Sequence, residues 1–276
     1  MKKIILITGS ELRHDYFRLK ISSSENIDVI RTYCESKKNS IENKIKFEQN
    51  KILRENHLNN RKKSEIKFFK EFCYNEIDES NPKYILKGEI NNSIIVEEII
   101  KLNPNLIVSY GCSIIKSKLI DLYEGRFINI HLGLSPYYRG SGTNFFPFVN
   151  NELQFVGTTF MLIDKGIDTG RIIHQLRSDF KFDNIHDIGN NLIKKSIDEL
   201  IKLIKIFNLS FLNTDNNINY NKSVRRYYGK KDFTEESVEL ANKNILNNII
   251  DDYKKSSKFF EKKFPITCYL ENDDFN

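Results

Sequence analysis

Cysteine pairs and long apolar runs are both missing from this 276-residue sequence. The four cysteines are scattered and none forms a Cys-x-x-Cys pair, so we expect neither a zinc site nor a redox dithiol, and the spacing suits a reducing compartment. No apolar run approaches the ~18 residues of a membrane span. The N-terminal run Ile4–Ile7 is too short for a signal peptide. We therefore expect a cytoplasmic protein without membrane contact.

A strong excess of one charge is also absent. Lysine and arginine number 43 against 37 aspartate and glutamate, which gives a formal net charge of +6. Nucleic-acid binders usually carry a denser basic stripe, so we expect no nucleic-acid partner. The excess suits a lysine-rich surface or small anionic substrates such as nucleotides or folates. The length allows one large domain, or one domain with a small appendage.

Strand-like and helix-like segments alternate through residues 3 to 130, which predicts a doubly wound, mostly parallel α/β sheet of Rossmann-like type. Predicted strands cover 3–8, 27–33, 106–109, 127–131, 156–163 and 171–176. Predicted helices cover 11–21 with Ser10 as the cap, 93–102, 113–122 and 185–207.

The pattern divides the chain into a catalytic domain at 1–207 and a small C-terminal appendage at 208–276. Residues 36–75 are polar and free of glycine and proline, which predicts one or two exposed helices inserted in the domain. His57 lies in this insertion and is expected on the surface. The appendage is rich in asparagine and then becomes basic and aromatic from Arg225 to Phe233.

Three polar side chains stand near the ends of predicted strands. Asn129 and His131 are two residues apart on one strand, so both leave the same face. Ser135-Pro136 cannot continue a central strand, which places the pair at the carboxyl end, where open α/β sheets bind ligands. Asp168 lies in a loop between Gly166 and Gly170, two residues that free the backbone to adopt unusual conformations. A lone histidine here would more often be structural, but the amide and carboxylate together favour a catalytic site.

Other site types fit these residues poorly. The loop around Asp168 lacks the further oxygen ligands and terminal glutamate of a calcium loop, so no metal is expected. No serine or cysteine occupies a nucleophile elbow, which argues against a hydrolase. The loop from Arg139 to Gly142 lacks the context of a dinucleotide fingerprint.

The sequence Asn129-x-His131-x-x-x-Ser135-Pro136-x-x-Arg139-Gly140, followed by Asp-x-Gly-x-Asp168-Thr-Gly, resembles the signature of the 10-formyltetrahydrofolate-dependent formyltransferases. That family includes glycinamide ribonucleotide, methionyl-tRNA and sugar N-formyltransferases. The resemblance implies that Asn129, His131 and Asp168 are catalytic. It implies 10-formyltetrahydrofolate as co-substrate, bound by the loops 110–115 and 163–168. The residues expected to bind it are Tyr110, Gly111, Ile114, Ile115, Ile163, Asp164 and Gly166. Ile114 and Ile115 could equally just begin a helix.

The amine acceptor is predicted from departures from the family. Glu11 follows the first strand where glycinamide ribonucleotide enzymes carry a phosphate loop, and the Gly-Thr-Pro-type turn of methionyl-tRNA enzymes is absent. This favours a nucleotide-linked amino sugar, with Arg13, His14, Tyr138 and Arg139 as acceptor contacts. Glycinamide ribonucleotide or methionyl-tRNA formylation, and a non-catalytic folate-binding module, remain alternatives. A homodimer is compatible with the sequence, which holds no signal for oligomeric state.

Overall fold

A seven-stranded mixed sheet forms the centre of the computed structural model, which describes residues 1–36, 51–208, 218, 220, 221 and 223–270. The strand order is β3-β2-β1-β4-β5-β7-β8; the first five strands are parallel, and β7 pairs antiparallel with both of its neighbours. The strands of this sheet are β1 (Lys2–Thr8), β2 (Ile27–Glu35), β3 (Pro82–Ile85), β4 (Leu106–Tyr110), β5 (Phe127–His131), β7 (Gly157–Leu162) and β8 (Ile172–Arg177). A separate two-stranded sheet pairs β6 (Tyr138–Gly140) with β9 (Arg226–Tyr228).

Helices cover both faces of the sheet. They are α1 (Leu12–Ser22), α2 (Ile52–Asn75), α3 (Ser93–Leu102), α4 (Ser117–Leu122), α5 (Phe146–Val149), α6 (Ile185–Ile206), α7 (Glu235–Leu246) and α8 (Ile249–Lys263). Short 3-10 helices occur at Glu89–Asn91, Leu153–Phe155 and Lys230–Asp232. No helix in the described part of the chain is long and apolar enough to cross a membrane.

The strand order places a switch point between β1 and β4. From β1 the chain adds β2 and β3 on one side, then returns to add β4 and β5 on the other. β4 is buried throughout and β1 is buried from Ile4 onward, because both of their faces are covered. Ligands of such sheets bind at the carboxyl ends of strands near the switch point. We therefore expect a ligand site at the carboxyl ends of β1, β4 and β5.

The predicted α/β class and the six predicted strands are confirmed, with two local corrections. The helix predicted from residue 113 begins at Ser117, because Asn91 holds the preceding backbone in another shape: its side chain donates to the Ile114 carbonyl at 3.0 Å and accepts from the Lys116 N–H at 2.7 Å. The cap of the first helix is Glu11 rather than Ser10. β3, β6, β9, α7 and α8 were not predicted.

The expectation of a surface position for His57 is wrong. Helix α2 packs against α1, α6 and α7, and buries Leu58 and Phe69. The ring of His57 lies 4.4 Å from that of His186 and contacts two phenylalanine rings. Burial, with the neighbouring imidazole as a second cause, lowers the pKa of His57 to about 3, and burial with Arg61 lowers that of His186 to about 4.

This half-buried histidine pair makes stability depend on pH. Because both folded pKa values lie below the unfolded value near 6.5, the unfolded state binds more protons as the pH falls. The free energy of unfolding should therefore decrease as the pH falls from 6.5 towards 4. The decrease is about 1.4 kcal/mol per pH unit for each histidine that is protonated in the unfolded state and neutral in the folded state. Urea unfolding between pH 5 and 8 tests this. His57→Phe should flatten the dependence; parallel curves for the variant and the wild type would contradict it.

The C-terminal segment packs against the rest of the chain. Helices α7 and α8 contribute Val238, Ile250 and Tyr253 to a hydrophobic cluster that also contains Tyr138 and Phe155. Beyond α8 the chain covers the outer edge of β8. There the Gln175 backbone N–H donates to the Thr267 carbonyl at 2.7 Å, and the Tyr269 N–H donates to Nδ1 of His174 at 3.1 Å. The division of domains at residue 207 stays a prediction.

Candidate active site

Asn129 lies on β5 with its amide orientation fixed by the neighbouring strand. The hydroxyl of Ser109, the register partner of Asn129 on β4, donates to its Oδ1 at 2.9 Å. An amide oxygen that accepts this bond leaves the Nδ2 group on the other side. Nδ2 makes no hydrogen bond within the described part of the chain, and the side chain is only partly buried. Asn129 can therefore present an N–H donor to a ligand at the carboxyl end of the sheet.

His131, two residues further along β5, is held at both ring nitrogens. Nε2 lies 2.9 Å from the Tyr138 carbonyl oxygen, and Nδ1 lies 3.3 Å from Oδ1 of Asp168. The ring is 6% exposed. Because both nitrogens face acceptor oxygens, each N–H of a doubly protonated imidazole would have a partner. The sequence-predicted pair of His131 and Asp168 is therefore brought into contact.

Asp168 reaches His131 from the loop between β7 and β8. Its backbone lies in the left-handed region at φ 52°, a conformation that aspartate tolerates better than most residues. The expectation about the flanking glycines is corrected, because neither has a left-handed φ. They are required for close approach instead: a Cβ on Gly170 would lie 1.7 Å from the Leu162 carbonyl oxygen, and one on Gly166 would lie 1.9 Å from Oγ1 of Thr169.

Strand β6 touches both members of this pair through its backbone. The Tyr138 carbonyl contacts His131, and the Gly140 N–H donates to Oδ2 of Asp168 at 2.9 Å. The ring of Tyr138 is fully buried, and its hydroxyl donates to Glu152. A buried ring offers no surface to a substrate, so the proximity of Tyr138 to the site comes from its main chain.

The two loops predicted to bind the co-substrate meet on one hydrophobic cluster. Ile115 is buried in it, and Ile163 packs against it from the second loop. Tyr110 is 3% exposed, and burial raises the pKa of its phenol to about 12, which keeps it neutral. Gly111 follows with a left-handed φ of 66°.

Each loop also presents an exposed isoleucine. Ile114 in the first loop is 71% exposed, and Ile167 in the second is 42% exposed. The second loop is braced by Asp164, whose Oδ1 accepts from the Gly166 N–H at 3.0 Å and from the Thr169 hydroxyl at 2.8 Å. Apolar side chains and exposed backbone on two neighbouring loops suit a flat, partly apolar ligand.

Arg13 and His14 lie at the start of α1 and are already engaged within the protein. Arg13 forms ion pairs with Glu11 and Glu65. His14 is 4% exposed, and its Nδ1 accepts from the Glu11 N–H at 3.1 Å. It packs so closely against Gly111 that a Cβ there would lie 2.4 Å from its Nε2. Both residues brace the turn after β1, and their predicted acceptor contacts stay predictions.

Arg139, in contrast, has one side-chain donor without a hydrogen-bond partner among the described residues. This donor is its Nε, which is buried. Its register partner across the two-stranded sheet is Tyr227, so the two side chains share a face. The ring of Tyr227 is 59% exposed and lies close to Gly140. A cation and an exposed aromatic ring thus stand beside the strand that contacts His131 and Asp168.

Sequence reasoning missed the residues that orient the three predicted ones. Ser109 is a polar residue in the apolar strand Leu-Ile-Val-Ser-Tyr, and a buried hydroxyl in such a run was the available signal. The backbone groups of β6 left no signal, because any residue type supplies a carbonyl and most supply an N–H.

The first 196 residues match the family described as Formyl transferase. A methionyl-tRNA formyltransferase from Finegoldia magna is 28% identical over 177 residues, which cover 60% of this chain and 54% of that protein. The chain spans about half the length, or less, of the curated relatives it matches.

Solved structures with the same fold align over more of the chain. A sugar N-formyltransferase from a Shewanella species matches with a TM-score of 0.53 and 18% identity, covering 88% of both chains. An N-formyltransferase from Helicobacter canadensis, in complex with folinic acid and dTDP-3-aminofucose, matches with a TM-score of 0.50 and 17% identity, covering 87% of this chain and 80% of that one.

Proposed function

Because the chain belongs to the formyl transferase family, we propose that it transfers the formyl group of 10-formyltetrahydrofolate to a primary amine. The observation that supports this most directly is the contact between His131 and Asp168 beside the ligand-facing amide of Asn129. An amide donor, an imidazole and a carboxylate are the groups that acyl transfer between two nitrogens needs.

The reaction forms one bond and breaks another. The amine nitrogen attacks the formyl carbon, the carbonyl oxygen becomes negative in a tetrahedral intermediate, and the bond to N10 then breaks. Nδ2 of Asn129 donates to that oxygen, and the Ser109 hydroxyl holds the amide in the orientation that permits it. A donor fixed in advance needs no reorganisation when the charge develops.

His131 and Asp168 handle the proton that the attacking amine must lose. The imidazole takes this proton and returns it to N10 of the leaving group, while the Asp168 carboxylate holds the ring through Nδ1. A direct hydrogen bond from Nε2 to the substrate oxygen requires that nitrogen to give up the Tyr138 carbonyl. No covalent intermediate with the protein is needed.

The two loops at 110–115 and 163–168 suit the formyl donor. Ile114 and Ile167 offer apolar surface for the pterin ring, and the backbone at Gly111 and around Asp164 offers polar groups to its edge. These residues bind and orient the donor; the proton transfers remain with His131 and Asp168.

We further propose that the acceptor is a nucleotide-linked amino sugar. Arg139 is only partly buried, so its guanidinium supplies a cation for a diphosphate, and the exposed ring of Tyr227 supplies a surface for a base or sugar. The structures of sugar N-formyltransferases support this choice, since their alignment covers 88% and 87% of the chain. The Helicobacter canadensis relative was solved with an aminosugar nucleotide.

An acceptor panel tests both parts of the proposal. With 10-formyltetrahydrofolate and a set of nucleotide-linked amino sugars, we expect release of tetrahydrofolate with at least one sugar. Arg139→Ala should raise KM for that sugar about 10- to 100-fold, the loss expected for a charged hydrogen bond. Arg126→Ala is the matched control, because Arg126 lies at the amino end of β5 and the site lies at the carboxyl end. No release with any amine would contradict the activity, and an unchanged KM would contradict the role of Arg139.

Methionyl-tRNA is the second candidate acceptor, because the curated relatives with this name are up to 34% identical over part of the chain. Binding of tRNA at low salt that weakens steeply as salt is raised would favour it. Saturable formylation of an amino sugar without tRNA retention would favour the sugar.

A further inference from the structure

We infer that β9 (Arg226–Tyr228), in the C-terminal part of the chain, is a positioning element for the His131–Asp168 pair. The kinetic test of this inference rests on the proposed function. The contacts between β9, β6 and the pair do not depend on that function. Residues 226–228 lie beyond the 196 residues that match the family. Their effect on catalysis would be exerted through β6, the short strand that contacts both members of the pair.

Among the described residues, β6 connects β9 with the His131–Asp168 pair. Its Tyr138 carbonyl lies 2.9 Å from Nε2 of His131, and its Gly140 N–H lies 2.9 Å from Oδ2 of Asp168. The same three residues therefore set the distance between imidazole and carboxylate. A shift of β6 along or away from the pair would move both contacts together.

Within the described residues, β6 has no other strand partner than β9. The two strands pair in parallel, with Tyr138, Arg139 and Gly140 opposite Arg226, Tyr227 and Tyr228. The ladder is extended at both ends: the Arg226 N–H donates to the Tyr137 carbonyl at 2.7 Å, and the Ser141 N–H donates to the Tyr228 carbonyl at 2.8 Å. A pair of three-residue strands is weak in isolation, so side chains must anchor it.

Arg226 is the first anchor. Its guanidinium forms a two-point contact with Glu152, with Nε 2.8 Å from Oε2 and Nη2 2.6 Å from Oε1. Glu152 also accepts from the Tyr138 hydroxyl. One carboxylate thus connects a side chain of β9 with a side chain of β6, and a fork-shaped contact of this kind restricts orientation as well as distance.

Tyr228 is the second anchor. Its ring stacks on Phe146 at a centroid distance of 3.7 Å and an angle of 4°. Its hydroxyl accepts from the amide of Asn150 at 2.7 Å, and the same amide donates to the Tyr138 hydroxyl at 2.9 Å. The backbone is equally close: Gly140 has a φ of 95°, and a Cβ there would lie 2.1 Å from the Tyr228 carbonyl oxygen. Glycine at 140 is what lets the two strands approach.

Kinetics should separate positioning from binding. Arg226→Ala and Tyr228→Ala should each lower kcat about 10- to 100-fold, because a displacement near 1 Å of a catalytic group has costs of this order. KM for 10-formyltetrahydrofolate should stay within about twofold, since no hydrogen bond among the described residues joins β9 directly to the loops expected to bind it. Tyr228→Phe keeps the stacked ring and should recover most of the activity. Val238→Ala is the matched control: it removes a buried side chain from α7 and should lower stability without lowering kcat.

An NMR signal tests the geometry without turnover. The Nε2–H of His131, donated to the Tyr138 carbonyl in a ring that is 6% exposed, should exchange slowly with water and be visible in the wild type. It should be absent from His131→Ala, weakened or lost in Tyr228→Ala, and retained in Val238→Ala. The NMR signal can be measured even if no amine is formylated. A failure of the proposed function is therefore distinguished from a failure of this inference. A wild-type kcat in both alanine variants, or an unchanged ring signal in Tyr228→Ala, would overturn it.

Discussion

Replacing His131 by alanine should lower kcat for formyl transfer by about 10²- to 10⁴-fold, the range that a positioned proton-transfer group contributes. The imidazole is the group of the site that faces both a carboxylate and a backbone carbonyl, so its loss leaves Asp168 without a partner for the transferred proton. Steady-state kinetics with the acceptor identified by the panel measures the effect. Binding of the formyl donor, measured by calorimetry, should persist because the imidazole is not among the groups expected to bind the donor.

The control for this variant is another buried histidine. His174→Ala removes an imidazole that is 3% exposed on β8, where its Nδ1 accepts from the Tyr269 N–H. This substitution should lower stability but leave kcat close to that of the wild type. Equal losses of kcat in both variants would mean that the effect at His131 is structural.

Replacing Asn129 by alanine should lower kcat by about 10²- to 10³-fold, the effect of removing one donor to a developing oxyanion. KM should change little, because the charge on the oxygen develops only during the reaction. The Ser109 hydroxyl gives a finer test of the same idea. Ser109→Ala keeps the amide but removes the 2.9 Å bond that orients it, so it should lower kcat by a smaller factor.

Ser196→Ala is the matched control for Ser109→Ala. Ser196 carries a buried hydroxyl on α6 that donates to the Leu192 carbonyl and lies 2.8 Å from the Thr158 hydroxyl, away from β5. Its removal should leave kcat unchanged. If Ser109→Ala behaves like Ser196→Ala, the orientation of the amide does not limit the reaction, and the role assigned to Ser109 is wrong.

The placement of Asn129, His131 and Asp168 near one another could be predicted because the signals are local. Asn129 and His131 follow an apolar run at a spacing that puts them on one face of a strand, and Asp168 lies in a short loop with its own glycines. The sheet could be predicted for the same reason, since each central strand is rich in apolar residues and bounded by polar ones.

What could not be predicted depends on contacts between distant segments. β6 and β9 have three residues each, too few for a periodicity, and each becomes a strand only by pairing with the other. His57 lies in a polar helix, and its burial comes from Phe145, His186 and Phe233, which belong to three other segments. Short elements and aromatic clusters of this kind are decided by tertiary packing, which single-segment patterns do not contain.

The cover over the outer edge of β8 has a consequence for solubility. An open edge strand offers unpaired backbone groups to a second chain and is a starting point for aggregation. Here the segment after α8 occupies that edge, with the Thr267 carbonyl accepting from the Gln175 N–H. Since this cover comes from residues that follow α8, proteolytic cleavage directly after α8 would uncover the edge of the sheet even when α8 remains. The segment around Thr267 and Tyr269 would then determine how readily the protein aggregates.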